Sequence, residues 1–273
     1  MTFRALSRSV RFIAGIAFLA VIALAVVVAA LGVGDPFSPS ETLLEPPSAA
    51  HPFGTDELGR DIFARVLHGA ETALRVSLPP ALAAAVVGTI VGLIGGYAGG
   101  ILDELLLKLI EFVLVVPRFL IALVVVALFG GSLTLLAVVL AATFWPATAR
   151  LVRAEAISLR ERPFVEAARA LGAGDTRIVM RHLLLLVIPL VAVNSSFQAG
   201  QAALIEAGLA FLGLGDRNVV SWGAMLADAQ SYLGIAWWTS VFPGLALALM
   251  ILALNLLGDG LADTLNLRGR VRL

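Results

Sequence analysis

The residue types that carry most enzyme chemistry are scarce in this 273-residue sequence. It has no cysteine, which excludes disulfides, thiol nucleophiles and Cys-based metal sites. Its three histidines, His51, His68 and His182, are far apart in sequence. They read as ordinary histidines of loops or a helix border, not as a metal site or the base of a Ser–His pair. Lys108 is the only lysine, and leucines flank it. A Gly-x4-Gly-Lys-Ser/Thr loop, whose lysine must reach a bound phosphate, therefore cannot be built. What remains as candidate chemistry is a charged stretch rich in arginine and a stripe of amides.

The charged stretch runs from Arg150 to His182 and holds seven arginines. Pro163 stands where a helix can begin. Phe164, Val165, Ala168 and Leu171 follow at i, i+1, i+4 and i+7, one apolar helical stripe. Gly172 and Gly174 stop that helix, and Asp175 is placed to cap a second short one. The expected product is a compact helix–turn–helix knob, apolar on one side and basic on the other, able to dock in a groove and transmit force as a rigid body. A basic patch on anionic lipid is the alternative, but it leaves the glycine-broken helical pair unexplained. The amide stripe comprises Asn194, Gln198 and Gln201 at i, i+4 and i+7, within about 60° of one another on a helix. Ser195 and Glu206 lie beside it. Such residues at bilayer depth line a translocation pathway or join helices through hydrogen bonds. For Glu206 the pathway carries more weight, because an unpaired carboxylate in lipid is costly.

The elements that must position these residues are membrane helices. Only 14% of the residues are charged, against roughly 25% in a soluble domain, and 60% are hydrophobic. So little charge cannot cover a water-facing surface, and the zero net charge gives no global basic field for nucleic acid. Uncharged stretches at Phe12–Val33, Val76–Leu102, Phe119–Ala149, Leu183–Ile205 and Ala229–Gly258 meet the ~20 apolar residues a span needs. The first, preceded by Arg4, Arg8 and Arg11, is longer than the ~7–15 residue apolar core of a cleaved signal, so a retained helix is expected. The third contains Gly130-Gly131-Ser132 and reads as most of a hairpin whose first limb starts near Leu105. The fold class is thus all-α, polytopic, with six transmembrane helices. In the first limb, Glu104, Lys108 and Glu111 are spaced to pair on one face, which leaves Arg118 unexplained. Gly88, Gly92, Gly96 and Gly100 recur every four residues on the second helix, a surface for close helix packing.

Basic residues orient the chain. Cytoplasmic N- and C-termini put 13 of the 19 basic residues inside, counting Arg4, Arg8, Arg11, the seven of the charged stretch, Arg268, Arg270 and Arg272. The outside then keeps Arg60, Arg65 and Arg217. The organisation expected is residues 1–33 as tail and first helix, 34–71 as an extracytoplasmic segment, and 72–273 as a five-helix core including the cytoplasmic loop 150–182. The outer segment opens Pro-rich and becomes helix-like from Asp56. Its Asp56, Glu57, Arg60 and Asp61 are expected to pair locally. Trp222, Tyr232, Trp237 and Trp238 suit an aromatic belt at the outer interface.

Glu166-Ala167-Ala168 followed by Gly172 resembles the EAA loop of ABC importer permeases. In that family a Leu-Pro follows at positions 19 and 20 counted from the Glu; this chain has Leu184-Leu185, with Pro189 one turn later. HPFGTDELGRDIFARVLHGAETAL (residues 51–74), AGLAFLGLG (207–215) with Ser221-Trp222-Gly223, and FPGLALALMILALNLLGDGLAD (242–263) resemble the dipeptide/oligopeptide/nickel branch, C-type subunit. The resemblance implies a type I ABC importer permease fold in the inner (plasma) membrane. It implies a pathway for di- or oligopeptides, or for a nickel–chelate complex or other small solute. The implied partners are a B-type permease subunit, two ATPase subunits and an extracytoplasmic binding protein. The ATPases would dock on Phe164, Glu166, Ala167, Ala168, Arg169, Leu171, Gly172, Ala173 and Asp175, and would carry ATP and Mg, with no cofactor on this chain. A secondary transporter driven by an ion gradient would favour inverted repeats, and no internal symmetry of that kind is visible.

Overall fold

The structure, a computed structural model, describes residues 9–265. Arg4, Arg8, Arg268, Arg270 and Arg272, which contribute to the charge asymmetry, lie outside the described residues. The elements are α1 (Val10–Ala30), α2 (Ile62–Ala98), α3 (Gly100–Val115), α4 (Arg118–Phe129), α5 (Leu133–Arg160), α6 (Pro163–Ala170), α7 (Asp175–Ile178), α8 (Leu184–Phe211), α9 (Trp222–Ala229) and α10 (Trp238–Leu265). A π-helical turn, Val179–Leu183, joins α7 to α8. Five stretches are long and apolar enough to cross a membrane. The bent pair α3–α4, with a 68° break, is the sixth candidate, a broken span or a re-entrant loop. In lipid an open backbone hydrogen bond costs several kcal/mol, so uncharged runs close their bonds within helices. Pro79, Pro80, Pro146, Pro189 and Pro243 are all accommodated inside helices.

The helix boundaries differ from expectation where local chemistry outweighs hydropathy. The Asp61 carboxylate accepts from the Ala64 N–H at 2.9 Å and starts α2. The helix-like tail of the outer segment is therefore the first part of one 37-residue helix, and a boundary at residue 71 falls inside it. Gly99, at φ +67, ends α2. Val116-Pro117 breaks the hairpin's first limb, because proline disfavours helical backbone in the residue before it. At the other end of the chain, residues 222–229 form α9, and α10 begins only at Trp238. Glu104, Lys108 and Glu111 are exposed and form no ion pair among the described residues. Asp103 instead takes a two-pronged ion pair from Arg153 of α5, at 2.5 and 2.7 Å.

The α2–α5 contact is the most extensive in the bundle, and three of the four spaced glycines make it. A methyl at Gly88 would stand 2.5 Å from Thr148 Cβ, at Gly92 2.6 Å from the Ala149 carbonyl, and at Gly96 2.6 Å from the Arg153 carbonyl. Gly100 does not belong to this seam. It lies past the end of α2, at φ +59, with open space where a Cβ would sit.

The long segments 31–61 and 212–237 pack together at one end of the bundle. Trp238 donates to the Thr55 carbonyl at 3.1 Å and Trp222 to the Val66 carbonyl at 3.0 Å. Both indoles are buried, Trp238 against the outer segment and Trp222 against the start of α2, so they do not form a belt; Trp237 alone of the three is exposed. Asp56 is buried between Arg60, at 2.6 Å, and Arg65, and Arg60 also holds Glu57 at 3.0 Å. Burial pushes the Glu57 carboxyl above its ordinary range. Asp61 accepts from His51 at 2.7 Å. These charges pair locally, and Arg60 and Arg65 also reach Asp228 at 3.6 and 3.9 Å.

Candidate functional site

The knob is built from the end opposite those long segments. Helix α5 runs on to Arg160, so residues 150–160 are helical and the knob proper begins at Glu161. Pro163 is in the first turn of α6. Gly172 closes α6 at φ +81, a left-handed conformation costly for other residues. Asp175 opens α7, but Gly174 occupies the capping position, and the Asp175 carboxylate points elsewhere.

The apolar stripe on α6 divides between two tasks. Val165 is fully buried in a cluster with Leu93 of α2, Val152, Ala156 and Leu159 of α5, and Ile178, Leu183 and Val187. Ala168 and Ala173 pack against that cluster. Burial of a valine or isoleucine stabilises by about 1.5–3 kcal/mol, so Val165 and Ile178 root the knob in the two helices beneath it. Leu171 is 89% exposed and Phe164 39% exposed. Among the described residues almost nothing covers Leu171, and Phe164 is covered in part. Glu166 and Ala167 are exposed beside them. The Phe164 ring lies 6.3 Å from that of His182.

Polar contacts brace the knob from below. The Tyr97 hydroxyl, on the last turn of α2, donates to Asp175 at 2.5 Å and accepts from Arg169 at 3.1 Å. The Arg169 guanidinium also lies over the Tyr97 ring, and the Tyr97 hydrogen bond holds its pKa above the ordinary arginine value. Arg160 donates to the Gly96 carbonyl at 3.1 Å. Tyr97 was not legible as a partner of the knob, nor Asp103 and Gly96 as partners of Arg153 and Arg160 beneath it. They are 50 to 78 residues from the groups they bind, and no spacing rule reaches that far.

The amide stripe on α8 splits into inward and outward groups. Asn194 donates to Thr148 Oγ1 at 2.9 Å, and Gln198 donates to the same oxygen at 3.2 Å and to the Phe144 carbonyl at 3.1 Å. These two join α8 to α5 within the chain. Ser195 satisfies itself on the Val191 carbonyl at 2.8 Å. Glu206 is buried at the far end of α8, beside Ser132, Leu133, Leu214 and Asp216, and bonds Ser221. It faces packed protein. Gln201 is exposed, and its side-chain oxygen accepts from Arg118 at 3.2 Å.

The site is thus a polytopic helical bundle with a rooted knob at one end that turns Leu171 outward. Comparison with known proteins gives its class, a transport permease subunit. Residues 88–271 match the family described as "Binding-protein-dependent transport system inner membrane component". A Brucella suis biovar 1 protein named as a permease of a peptide transport system is 38% identical over 99% of this chain and 92% of its own length. The dipeptide transport system permease protein DppC of Alkalihalophilus pseudofirmus is 37% identical over 82% of this chain and 74% of its own. The glutathione transport system permease protein GsiD of Escherichia coli O6:K15:H31 is 40% identical over 81% and 73%. The chain belongs to the binding-protein-dependent transport system inner membrane component family. It is a multi-pass inner membrane protein.

Proposed function

We propose that this chain is the permease subunit of an ATP-driven peptide importer, and that residues 163–175 dock an ATPase subunit on the cytoplasmic face. The observation that carries the coupling is the pairing of a rooted Val165 and Ile178 with an exposed Phe164 and Leu171. A rigid element that leaves large apolar side chains in the open offers them to a partner. Peptides are favoured as substrate by the names of the relatives, two of which are peptide or dipeptide permeases. With one lysine and no phosphate loop in the sequence, the energy falls to separate ATPase subunits, which carry ATP and Mg. The remaining partners on this reading are a B-type permease and an extracytoplasmic binding protein. Cytoplasmic termini put the basic knob inside, in keeping with the charge asymmetry.

The test is Leu171→Glu, because Leu171 touches so little of its own chain that folding is unaffected. The expected result is a normally inserted, normally stable permease that no longer retains the ATPases on purification and no longer supports uptake. The double variant Glu166→Arg with Gly172→Pro tests the same helix more severely, with loss of assembly or uncoupled ATP hydrolysis expected. Wild-type retention and uptake in Leu171→Glu would remove the docking role.

A further inference from the structure

Arg118 has no local electrostatic reason to be where it is. It opens α4 at the Pro117 break. Eleven residues separate it from Phe129, the end of its helix, and similar counts separate Phe144 from Leu133 and Gln201 from Phe211. Those three helix ends lie at one face, where the Leu133 N–H bonds Asp216 at 3.2 Å. At 1.5 Å per residue, Arg118, Phe144 and Gln201 share a level about 16 Å below that face, near the middle of a hydrocarbon core of roughly 30 Å. The three touch: the guanidinium stands 5.1 Å over the Phe144 ring and donates to Gln201 at 3.2 Å.

Both contacts orient the cation, and neither neutralises it. No carboxylate lies within ion-pair distance of Arg118 among the described residues. The charged group whose field reaches it is another arginine, Arg150, which is exposed on α5 and closer to the knob by almost two turns. A permanent partner would call for an acid, and two like charges in series call for an anion that passes. An arginine at midplane is tolerated when it faces a water-filled path. The broken helix adds to this, since it places the positive end of α4 at Arg118 itself.

On the reading of this chain as a peptide permease, we propose that Arg118 is the midplane binding site for the terminal carboxylate of the peptide in transit, with Arg150 next on its way toward the knob. Every peptide carries one such group whatever its sequence, so one fixed cation serves many substrates. The Phe144 face and the Gln201 amide hold the guanidinium edge-on to the path. Charge-assisted bonds are the strong class available to it.

The experiment uses the whole transporter in proteoliposomes, with its ATPases, partner permease and binding protein. Uptake is measured for two peptides of one sequence, one with a free and one with an amidated C-terminus, both bound by the binding protein. Arg118→Gln is expected to slow the free acid by about tenfold, the order of one lost hydrogen bond to a charged group. It is expected to slow the amide by only about twofold, the low end for a lost neutral hydrogen bond. Arg118→Lys is expected to restore most of the loss, because the charge returns. An equal loss on both peptides, with weakened assembly, would assign Arg118 to a fixed acid on the partner permease and overturn the proposal. Unchanged uptake of both would overturn it as well. Failure of the wild-type transporter to move either peptide would bring down the peptide reading itself, and this inference with it.

Discussion

Gly92→Ala isolates the seam between α2 and α5. The added methyl would stand 2.6 Å from the Ala149 carbonyl oxygen and 2.8 Å from Val152 Cβ, where ordinary contact begins at 3.4 Å. Backbone cannot swing aside, so the helices must part by about 0.8 Å, and a gap of that order forfeits a quarter to a half of each dispersion contact along the seam. Overpacking of this kind costs about 1–3 kcal/mol, and alanine returns about 1 kcal/mol of helix propensity over glycine. The net expectation is a loss of about 1 kcal/mol, or roughly 2–4 °C in the unfolding midpoint for a chain of this size. Gly200→Ala is the matched control. Its methyl would meet Asn255 Oδ1 at 3.5 Å and Ile251 at 3.9 Å, ordinary contact, so only the propensity gain of up to about 1 kcal/mol remains. The assay is the thermal aggregation midpoint of the detergent-purified protein, with both variants run beside wild type. A midpoint for Gly92→Ala at or above that of Gly200→Ala would refute the claim that bare backbone contact sets this interface.

Asp56→Asn removes the carboxylate shared by Arg60 and Arg65 and leaves buried Arg65 only the more distant Asp228, at 3.9 Å; a loss of about 1–3 kcal/mol is expected, read in the same thermal assay. Asp103→Asn and Arg153→Met should each cost about 1–2 kcal/mol, and the double variant less than their sum, since both break one pair. Trp238→Phe leaves the buried Thr55 carbonyl without its donor, at about 1–3 kcal/mol, and proteolysis of residues 31–61 should accelerate. Tyr97→Phe removes the brace to Asp175 and Arg169 while sparing the buried root. Amide exchange should then rise in residues 161–175 with the global midpoint unchanged.

Hydropathy made the spans legible because lipid leaves the backbone no choice but to close its own hydrogen bonds. The knob was legible because Pro163, Gly172 and Gly174 punctuate it locally. What the sequence did not reveal depends on distant partners. Nothing local says that Asp103 meets Arg153 in preference to Lys108, or that Trp222 and Trp238 turn inward, one onto α2 and the other onto the outer strap. The amide stripe shows the limit most clearly. Periodicity put Asn194, Gln198 and Gln201 on one face, but a face about 60° wide spans the edge between a neighbour and open space. Thr148 supplied the neighbour for two of them, and Arg118 took the third.

The same contacts bear on how a push on the knob would travel. Val165 and Ile178 share their cluster with Leu93 and Val152, so the knob cannot tilt without moving α2 and α5. Those two helices cannot slide independently, because Gly88, Gly92 and Gly96 set backbone against side chain and backbone along three turns, and Arg153 grips Asp103 at the base. Helix α5 carries Thr148 against Asn194 and Gln198, and Phe144 under Arg118. A displacement of the knob therefore reaches the Arg118 level through packed backbone, with no flexible joint on the way. Thr148→Val tests this connection: it keeps the volume, removes the shared acceptor, and should loosen α8 from α5. The expected outcome is ATP hydrolysis that continues while uptake falls. Hydrolysis and uptake that decline together, in proportion, would place the joint elsewhere.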